Sequence, residues 1–354
     1  MKKEIKLMKG NEALAEAAIR AGLQAYFGYP ITPQSEVLEY FEEQAPKRNF
    51  VVLQAESEVA SINMVFGAAG AGARVMTSSS SPGISLMQEG ISYIAAGELP
   101  CLIVNVNRGG PGLGTIQPGQ GDYFQSTKGG GHGDYHLIVL APSSVQEMAD
   151  FVFEGFRLGE KYRNPVMILT DGALGQMMEK VELPPDGSLP YTRPEWATTG
   201  KLKSRQRNIV TTLFIEPEVM EQVNIKLQKK YTEICKNEVR YETINCEDAE
   251  IILCAYGLSA RISQKAMDLA REHGIKAGIF RPITLYPYPY DILNQLADKA
   301  DNFLVVEMNA GQMVEDVMLA VSGKVPVHHF GRLGGVITAP EEVVESVKIN
   351  FIGG

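Results

Sequence analysis

Short apolar runs that alternate with helical patterns restrict the fold of this 354-residue chain more than any other feature. Runs this short suit strands better than buried helices, and several are apolar on both faces, as in strands covered by helices on two sides. We predict strands at residues 25–29, 50–54, 74–77, 100–106, 136–140 and 165–170. Strands that alternate with helices predict an α/β fold built on a doubly wound parallel sheet.

A second α/β pattern begins near residue 249, after a stretch of different composition. Residues 184–203 are rich in Pro, Gly and Thr without periodicity, and residues 216–238 form a charged helical pattern. Segments of this kind usually separate domains. We therefore predict a first domain at 1–183, a linker and connector helix at 184–245, and a smaller α/β domain at 246–354.

Three polar groups follow predicted strands of the first domain. Thr32 lies between two prolines, Glu58 begins a helix of small residues, and Arg108 ends an apolar strand. Ligands of open α/β sheets bind at the carboxyl ends of the strands, so these groups predict a binding site. A buried Glu58 would need a partner, and Arg108 could hold a carboxylate through two hydrogen bonds. Each residue also has a structural alternative. Glu58 could be a carboxylate favoured at a helix N-terminus, Arg108 could form a surface ion pair, and Thr32 could lie in a plain turn.

A long glycine-rich segment, residues 109–133, has no predicted secondary structure. Long loops without structure of their own are usually functional or disordered. The segment lacks the spacing of a dinucleotide-binding Gly-x-Gly-x-x-Gly motif, and the chain has no phosphate-binding Gly-x-x-x-x-Gly-Lys motif. Asp171-Gly172 lacks the first glycine of a Gly-Asp-Gly motif that binds magnesium and diphosphate, so a strand-end turn is the simpler interpretation and no metal site is predicted.

Composition excludes several further classes of function. The net charge is −9 and no Lys or Arg runs occur, which argues against a nucleic-acid binder or a protein of anionic membranes. The N-terminus is charged and no long apolar run follows it, so we expect no signal peptide and no membrane-spanning helix. The four cysteines are not spaced as a Cys-x-x-Cys motif, so an Fe–S or zinc site within this chain is not expected. Unpaired thiols suit the cytoplasm.

Several motifs together resemble the α subunit of the 2-oxoacid:ferredoxin oxidoreductases. They are Tyr29-Pro-Ile-Thr-Pro33, Glu56-Ser-Glu58, Gly90-Ile-Ser-Tyr, Gly97-Glu-Leu-Pro100, Arg108, Arg281-Pro-Ile-Thr-Leu and Phe330-Gly-Arg-Leu-Gly-Gly335. The resemblance covers almost the whole chain. Within the family it is strongest to the VorB type, which acts on 2-ketoisovalerate (3-methyl-2-oxobutanoate), through motifs such as Gln54–Glu58 and Gly109–Gly114.

The resemblance implies a fold, a reaction and a set of partners. The fold is a thiamine diphosphate pyrimidine-binding domain followed by a transketolase C-terminal-like α/β domain. The reaction is a coenzyme A-dependent oxidative decarboxylation of a 2-oxoacid to an acyl-CoA, with electrons passed to ferredoxin. A β subunit would share the thiamine diphosphate and carry its Mg²⁺ site, and γ and δ subunits would complete a hetero-oligomer that contains pairs of chains. The 4Fe–4S clusters would lie on partner subunits, so this chain would be inactive alone.

The resemblance also assigns roles to residues. Glu58 would hydrogen-bond the aminopyrimidine ring of thiamine diphosphate, and Arg108 and Thr32 would hold the carboxylate and keto oxygen of the substrate. The cofactor would also contact Tyr29, Pro30 and Ile31. One departure is Ser81, which stands where relatives commonly have glycine.

Two alternatives to this assignment remain. The same chemistry could act on pyruvate or on 2-oxoglutarate, and the second carboxylate of 2-oxoglutarate would need another cation, which Lys128 or His132 could supply. A non-catalytic α/β binding or scaffold protein is the more remote alternative.

Overall fold

The computed structural model describes residues 4–351, so the first three residues of the charged N-terminus and residues 352–354 lie outside the described part. The first half of the chain forms strands and helices in alternation. Its strands are β1 (Glu4–Lys9), β2 (Ala25–Gly28), β3 (Val51–Gln54), β4 (Val75–Ser79), β5 (Cys101–Asn107), β6 (Ile138–Leu140), β7 (Pro165–Asp171) and β8 (Met178–Leu183). Its helices are α1 (Gly10–Arg20), α2 (Ser35–Arg48), α3 (Glu58–Gly70), α4 (Ser81–Ala96), α5 (Tyr123–Thr127), α6 (Val145–Tyr162) and α7 (Gly172–Gln176).

The second half begins with a long helix and continues as a smaller α/β unit. Its helices are α8 (Pro217–Asn237), α9 (Gly257–Glu272), α10 (Tyr290–Leu296), α11 (Met313–Val321) and α12 (Pro340–Phe351). Its strands are β9 (Tyr241–Ile244), β10 (Ile251–Cys254), β11 (Ala277–Pro282), β12 (Thr284–Tyr286), β13 (Asn302–Glu307) and β14 (Val327–Gly331).

Two parallel-dominated sheets confirm the predicted fold class. The larger sheet has the strand order β12-β6-β7-β5-β4-β2-β3 and is parallel except for β12, which pairs antiparallel with β6. The smaller sheet has the order β14-β13-β10-β11-β9 and is parallel except for β9. Strand β5 is buried along its whole length because it lies between β4 and β7 with helices on both faces of the sheet.

The structure corrects three local expectations. The glycine-rich segment 109–133 contains the short helix α5. Strand β1 pairs antiparallel with β8 in a ribbon that no apolar pattern predicts. Strand β12 was not among the predicted strands, and it adds an edge strand from the second unit to the first sheet. The larger of two buried clusters spans both units, since Tyr256 and Phe280 belong to the same cluster as the first sheet, while a second cluster that includes Leu253 and Leu304 lies within the second unit.

Within residues 4–351, no helix combines the length and the apolar character needed to cross a membrane.

Candidate active site

The predicted site residues Thr32 and Arg108 are in direct contact. Arg108 follows β5 and is buried, and Thr32 lies in the exposed turn after β2. Nη1 of Arg108 donates a hydrogen bond of 2.8 Å to the backbone oxygen of Thr32, and Nη2 donates one of 2.9 Å to the backbone oxygen of Leu113. The arginine therefore joins the proline-rich turn to the glycine-rich segment. Its Nε is buried and has no hydrogen-bond partner among residues 4–351.

Glu58 is the first residue of α3 and is buried, with 6% of its surface exposed. Ser57 caps the helix by accepting a 3.2 Å hydrogen bond from the backbone N–H of Ala60, and this fixes where the helix begins. No residue in the described range 4–351 donates a hydrogen bond to the Glu58 carboxylate. Its oxygens are not among the fully buried atoms without a partner, so they keep some contact with solvent, and this position fits a ligand that donates a hydrogen bond to the carboxylate. Glu56, in contrast, is exposed and bonds Ser57.

Gly83 on α4 faces the Glu58 carboxylate and was not identified from the sequence as a site residue. A Cβ at position 83 would lie 2.6 Å from Oε1 of Glu58 and closer still to Oγ of Ser79, at the end of β4. Only a residue without a side chain leaves room for these two groups. The sequence signal was the Ser-Ser-Pro-Gly run after a strand, but its spacing does not reveal which residue Gly83 faces.

Ser81, the position at which the resemblance leads us to expect glycine, connects α4 to the end of β5. Its Oγ accepts a 3.1 Å hydrogen bond from the backbone N–H of Arg108 and lies 3.3 Å from Oδ1 of Asn107 and from the backbone oxygen of Arg108. The hydroxyl can donate to either oxygen. The serine therefore helps to fix the backbone from which the Arg108 side chain extends.

The carboxyl edge of the large sheet holds many buried polar atoms that have no partner in the described part of the chain. They are Thr77 Oγ1, Ser79 Oγ, Ser80 Oγ, Asn107 Nδ2, Arg108 Nε and Thr170 Oγ1. Buried polar atoms in proteins are nearly always hydrogen-bonded to protein, ligand or ordered water, so this edge offers donors and acceptors to a bound group. Nearby, burial raises the pKa of Asp122, although Asn105 donates a 2.8 Å hydrogen bond to its carboxylate.

Gln120 anchors the glycine-rich segment to the second unit. Its Nε2 donates to the backbone oxygen of Tyr256 at 2.9 Å, and its Oε1 accepts from Ser259 at 2.8 Å and from the backbone N–H of Met308 at 3.0 Å. Sequence analysis did not identify this residue because its partners lie more than 130 positions away. The second unit thereby holds the segment whose Leu113 carbonyl binds Arg108.

The other predicted residues occupy different positions. Tyr29, Pro30 and Ile31 lie in the turn that leads to Thr32, with Tyr29 and Pro30 exposed. Lys128 pairs with Asp316 at 2.6 Å on α11, and His132 is exposed beside α4. Neither cation contacts Arg108.

Asp171 lies in a turn at the end of β7, which agrees with the simpler interpretation of the Asp171-Gly172 pair. Its Oδ1 accepts hydrogen bonds of 2.9 and 3.1 Å from the backbone N–H groups of Ala173 and Leu174, so it caps α7. Burial raises the pKa of this carboxyl to about 6.

Replacing Gly83 by alanine tests the arrangement around Glu58. We expect activity of the assembled enzyme to fall at least about tenfold, because the new methyl group must displace the Glu58 carboxylate or Ser79. Thermal unfolding and steady-state kinetics would be measured together. Gly67→Ala on α3 is the matched control, since a Cβ there meets no atom within 4 Å. Unchanged kinetics in the Gly83 variant would contradict the close approach.

Comparisons with known proteins identify the family of this chain. Residues 16–243 match the family model described as pyruvate flavodoxin/ferredoxin oxidoreductase, thiamine diphosphate-binding, and residues 249–343 match pyruvate:ferredoxin oxidoreductase core domain II. Ketoisovalerate oxidoreductase subunit VorB of Methanothermobacter thermautotrophicus is 50% identical, with 97% of each chain covered. The 2-oxoglutarate synthase subunit KorA of Archaeoglobus fulgidus is 38% identical, with 98% of this chain and 99% of the relative covered.

Solved structures show the same architecture. The 2-oxoglutarate:ferredoxin oxidoreductase of Magnetococcus marinus, solved with 2-oxoglutarate, coenzyme A and succinyl-CoA bound, superimposes with a TM-score of 0.86 at 28% identity over 98% of this chain. This chain spans 65% of that longer chain. A split-gene transketolase shares only the fold, with a TM-score of 0.56 and 14% identity. The family match over most of the chain and the near-complete coverage of its relatives show that the chain belongs to the 2-oxoacid:ferredoxin oxidoreductase family, as an oxidoreductase subunit with a thiamine diphosphate-binding region.

Proposed function

We propose that this chain is the α subunit of an enzyme that oxidatively decarboxylates branched-chain 2-oxoacids, with 2-ketoisovalerate as its main substrate. The observation that carries the proposal is the buried Glu58 carboxylate, which faces Gly83 and lacks a partner within residues 4–351. Relatives that are 48–50% identical are named ketoisovalerate oxidoreductase subunits, which supports this choice of substrate.

In this proposal Glu58 binds the cofactor. Its carboxylate accepts a hydrogen bond from a ring nitrogen of the aminopyrimidine and so determines where the proton on that ring resides. Thiamine diphosphate, when bound, supplies the carbanion chemistry that the side chains of this chain lack. Tyr29, Pro30 and Ile31 would form one wall beside the ring. Gly83 keeps the space in front of the carboxylate open.

Arg108 and Thr32 would orient the substrate. Two of the guanidinium donors of Arg108 already bind the carbonyls of Thr32 and Leu113, which fixes the plane of the group. An arginine has five N–H donors, so others remain to hold the carboxylate of a 2-oxoacid. The Thr32 hydroxyl lies in the turn that Arg108 holds and would donate to the keto oxygen.

The surroundings of Thr32 favour an apolar substrate side chain. A cavity of about 470 Å³ beside this residue is lined by the apolar residues Ile116, Pro118 and Ile337 and by the polar residues Glu36, Gln117 and Gln176. No Lys, Arg or His lines it, and Arg108 and Glu58 lie outside its lining. Lys128, one of the two cations considered for 2-oxoglutarate, is paired with Asp316. A second substrate carboxylate would therefore meet Glu36 and no cation in this cavity, whereas a branched hydrocarbon chain would pack against its apolar residues.

The remaining parts of the enzyme would come from other chains. A β subunit would carry the diphosphate and Mg²⁺ site, γ and δ subunits would accompany it, and the 4Fe–4S clusters would pass electrons to ferredoxin. The Asp171 carboxylate accepts hydrogen bonds from backbone N–H groups at the start of α7, and this capping role supports a magnesium site on another subunit. Coenzyme A would accept the acyl group, as its presence in the related 2-oxoglutarate enzyme supports. The free thiols of the four cysteines suit a cytoplasmic complex.

Substrate preference tests the proposal. We expect the complex that co-purifies with this chain to show a kcat/KM for 2-ketoisovalerate at least about tenfold above those for pyruvate and 2-oxoglutarate. Two extra buried methyl groups, each contributing roughly 0.8 kcal/mol, favour it over pyruvate, and the second carboxylate without a cation disfavours 2-oxoglutarate. The measurement is 2-oxoacid-dependent reduction of a viologen dye with coenzyme A present. A clear preference for either of the other two acids would overturn the substrate assignment and leave the family intact.

A further inference from the structure

Asp122 lies immediately before helix α5, but its carboxylate does not cap that helix. An aspartate at this position usually accepts hydrogen bonds from the first backbone N–H groups of its own helix, and no such bond forms among the described residues. The carboxylate instead accepts a 2.8 Å hydrogen bond from Nδ2 of Asn105 on β5, and the hydroxyl of Ser81 on α4 also hydrogen-bonds it. The side chain therefore connects the glycine-rich segment to β5 and to the start of α4.

Ser81 extends this connection to Arg108. Its Oγ accepts a 3.1 Å hydrogen bond from the backbone N–H of Arg108, so its own hydrogen is free to be donated. Three acceptors surround the hydroxyl, which are Oδ1 of Asn107, the backbone oxygen of Arg108 and the Asp122 carboxylate. The carboxylate is the charged one, and a charged acceptor makes the stronger hydrogen bond. A chain of hydrogen bonds thus leads from Asp122 to the backbone that carries the guanidinium.

The glycine-rich segment also packs directly against the backbone of Arg108. Arg108 and Pro118 form an antiparallel β-bridge. A Cβ on Gly119 would lie 3.1 Å from the carbonyl carbon of Arg108, which is a tight contact, so the missing side chain allows the two backbones to approach. Gln120 then binds the second unit, and Asp122 follows it. The segment is therefore fixed on both sides of Gln120, and both attachments act on Arg108.

The position of the Arg108 backbone matters because the guanidinium has little freedom to adjust. Its Nη1 and Nη2 already bind the carbonyls of Thr32 and Leu113, so a shift of the backbone would tilt the donors that remain for a substrate. A displacement of about 1 Å at such a group can lower the rate about a hundredfold. We propose that Asp122 is a positioning residue that holds Arg108 in the orientation in which it binds the substrate carboxylate. This inference rests on the proposed role of Arg108 in the proposed function, and not on which 2-oxoacid is preferred.

Asp122→Asn removes the charge of the side chain and keeps its size. We expect KM of the assembled enzyme for its best 2-oxoacid to rise about five- to tenfold while kcat stays within about twofold, since the guanidinium is misplaced and not removed. Ser81→Ala removes the connecting hydroxyl and should raise KM by a similar factor. The matched control is Asp248→Asn, an exposed aspartate that pairs with Arg271 in the second unit, and it should leave KM unchanged.

A double-mutant cycle tests whether Asp122 acts through Arg108. The quantity measured is kcat/KM below saturation for the original chain, Asp122→Asn, Arg108→Ala and the double variant. Asp122→Asn should lower kcat/KM at least about fivefold in the original chain and less than about twofold once the arginine side chain is absent. An equal loss in both backgrounds, or an unchanged KM in Asp122→Asn, would overturn the inference.

Exchanging the two partners on β5 and the glycine-rich segment provides a rescue. Asp122→Asn with Asn105→Asp restores a carboxylate–amide pair in the reverse order, so KM should return to within about threefold of the original value. A double variant that assembles and keeps the raised KM would contradict the inference. All variants are assayed with the 2-oxoacid that the unaltered complex turns over fastest. A preference for pyruvate or 2-oxoglutarate would therefore overturn the substrate assignment and leave this test valid.

Discussion

Replacing Glu58 by alanine is expected to lower the 2-oxoacid-dependent dye reduction of the assembled enzyme by about two to four orders of magnitude. The physical reason is that the carboxylate is buried, has no partner within residues 4–351 and is the group proposed to control a proton on the cofactor ring. Loss of one proton-transfer group typically costs a factor in this range. Glu58→Gln keeps the shape and removes the charge, so it should lose activity to a similar extent.

The neighbouring carboxylate provides a matched control for this variant. Glu56 is two residues away, exposed and bonded only to Ser57 among described residues, so Glu56→Ala should retain activity within about twofold. Unfolding of each variant would be followed by circular dichroism. The catalytic role of Glu58 fails if Glu58→Ala folds, assembles with its partners and still reduces the dye at the original rate.

Much of the fold followed from the sequence because its signals are local. Apolar runs such as the one at β5 are too short for helices and too apolar for exposed strands, so their position in a covered parallel sheet was predictable. Features that depend on pairing between distant parts of the chain could not be predicted. Strand β12 has only three residues, and its pairing with β6 joins segments more than 140 residues apart. Helix α5 was not predicted because it has only five residues and lies within a glycine-rich segment.

In the candidate site, too, features with a local sequence signal were predicted and features that depend on distant contacts were not. The predicted strands ahead of Glu58 and Arg108 indicated that both side chains lie at the carboxyl edge of the sheet. The contact between Arg108 and the backbone of Thr32 spans 76 positions and depends on how two loops fold over the sheet edge. No local pattern encodes such a contact. Gly83 was missed for a related reason. The need for glycine at this position depends on the side chain that it faces, and the sequence does not reveal that side chain.

Arg108→Lys should lower kcat/KM for the 2-oxoacid by about a hundredfold, mainly through a higher KM. Lysine keeps the positive charge but has no planar pair of donors, so it cannot bind two carbonyls and still present a bidentate face to a carboxylate. Losing one or two charged hydrogen bonds, each worth about 1.5–3 kcal/mol, corresponds to a loss of this size. Steady-state kinetics with varied 2-oxoacid at saturating coenzyme A would separate KM from kcat.

Two comparisons separate substrate binding from a purely structural role of Arg108. Arg157→Lys changes an exposed arginine on α6 that pairs with Glu154, and it should leave both constants unchanged. Arg108→Lys with Ser81→Gly also removes the hydroxyl that binds the Arg108 backbone N–H, so a further rise in KM would show that backbone placement contributes. If Arg108 only ties the two loops together, Arg108→Lys should lower the melting temperature and kcat while KM stays constant. That result would remove Arg108 from the substrate site, because a carboxylate-binding group must affect the concentration at which the substrate binds.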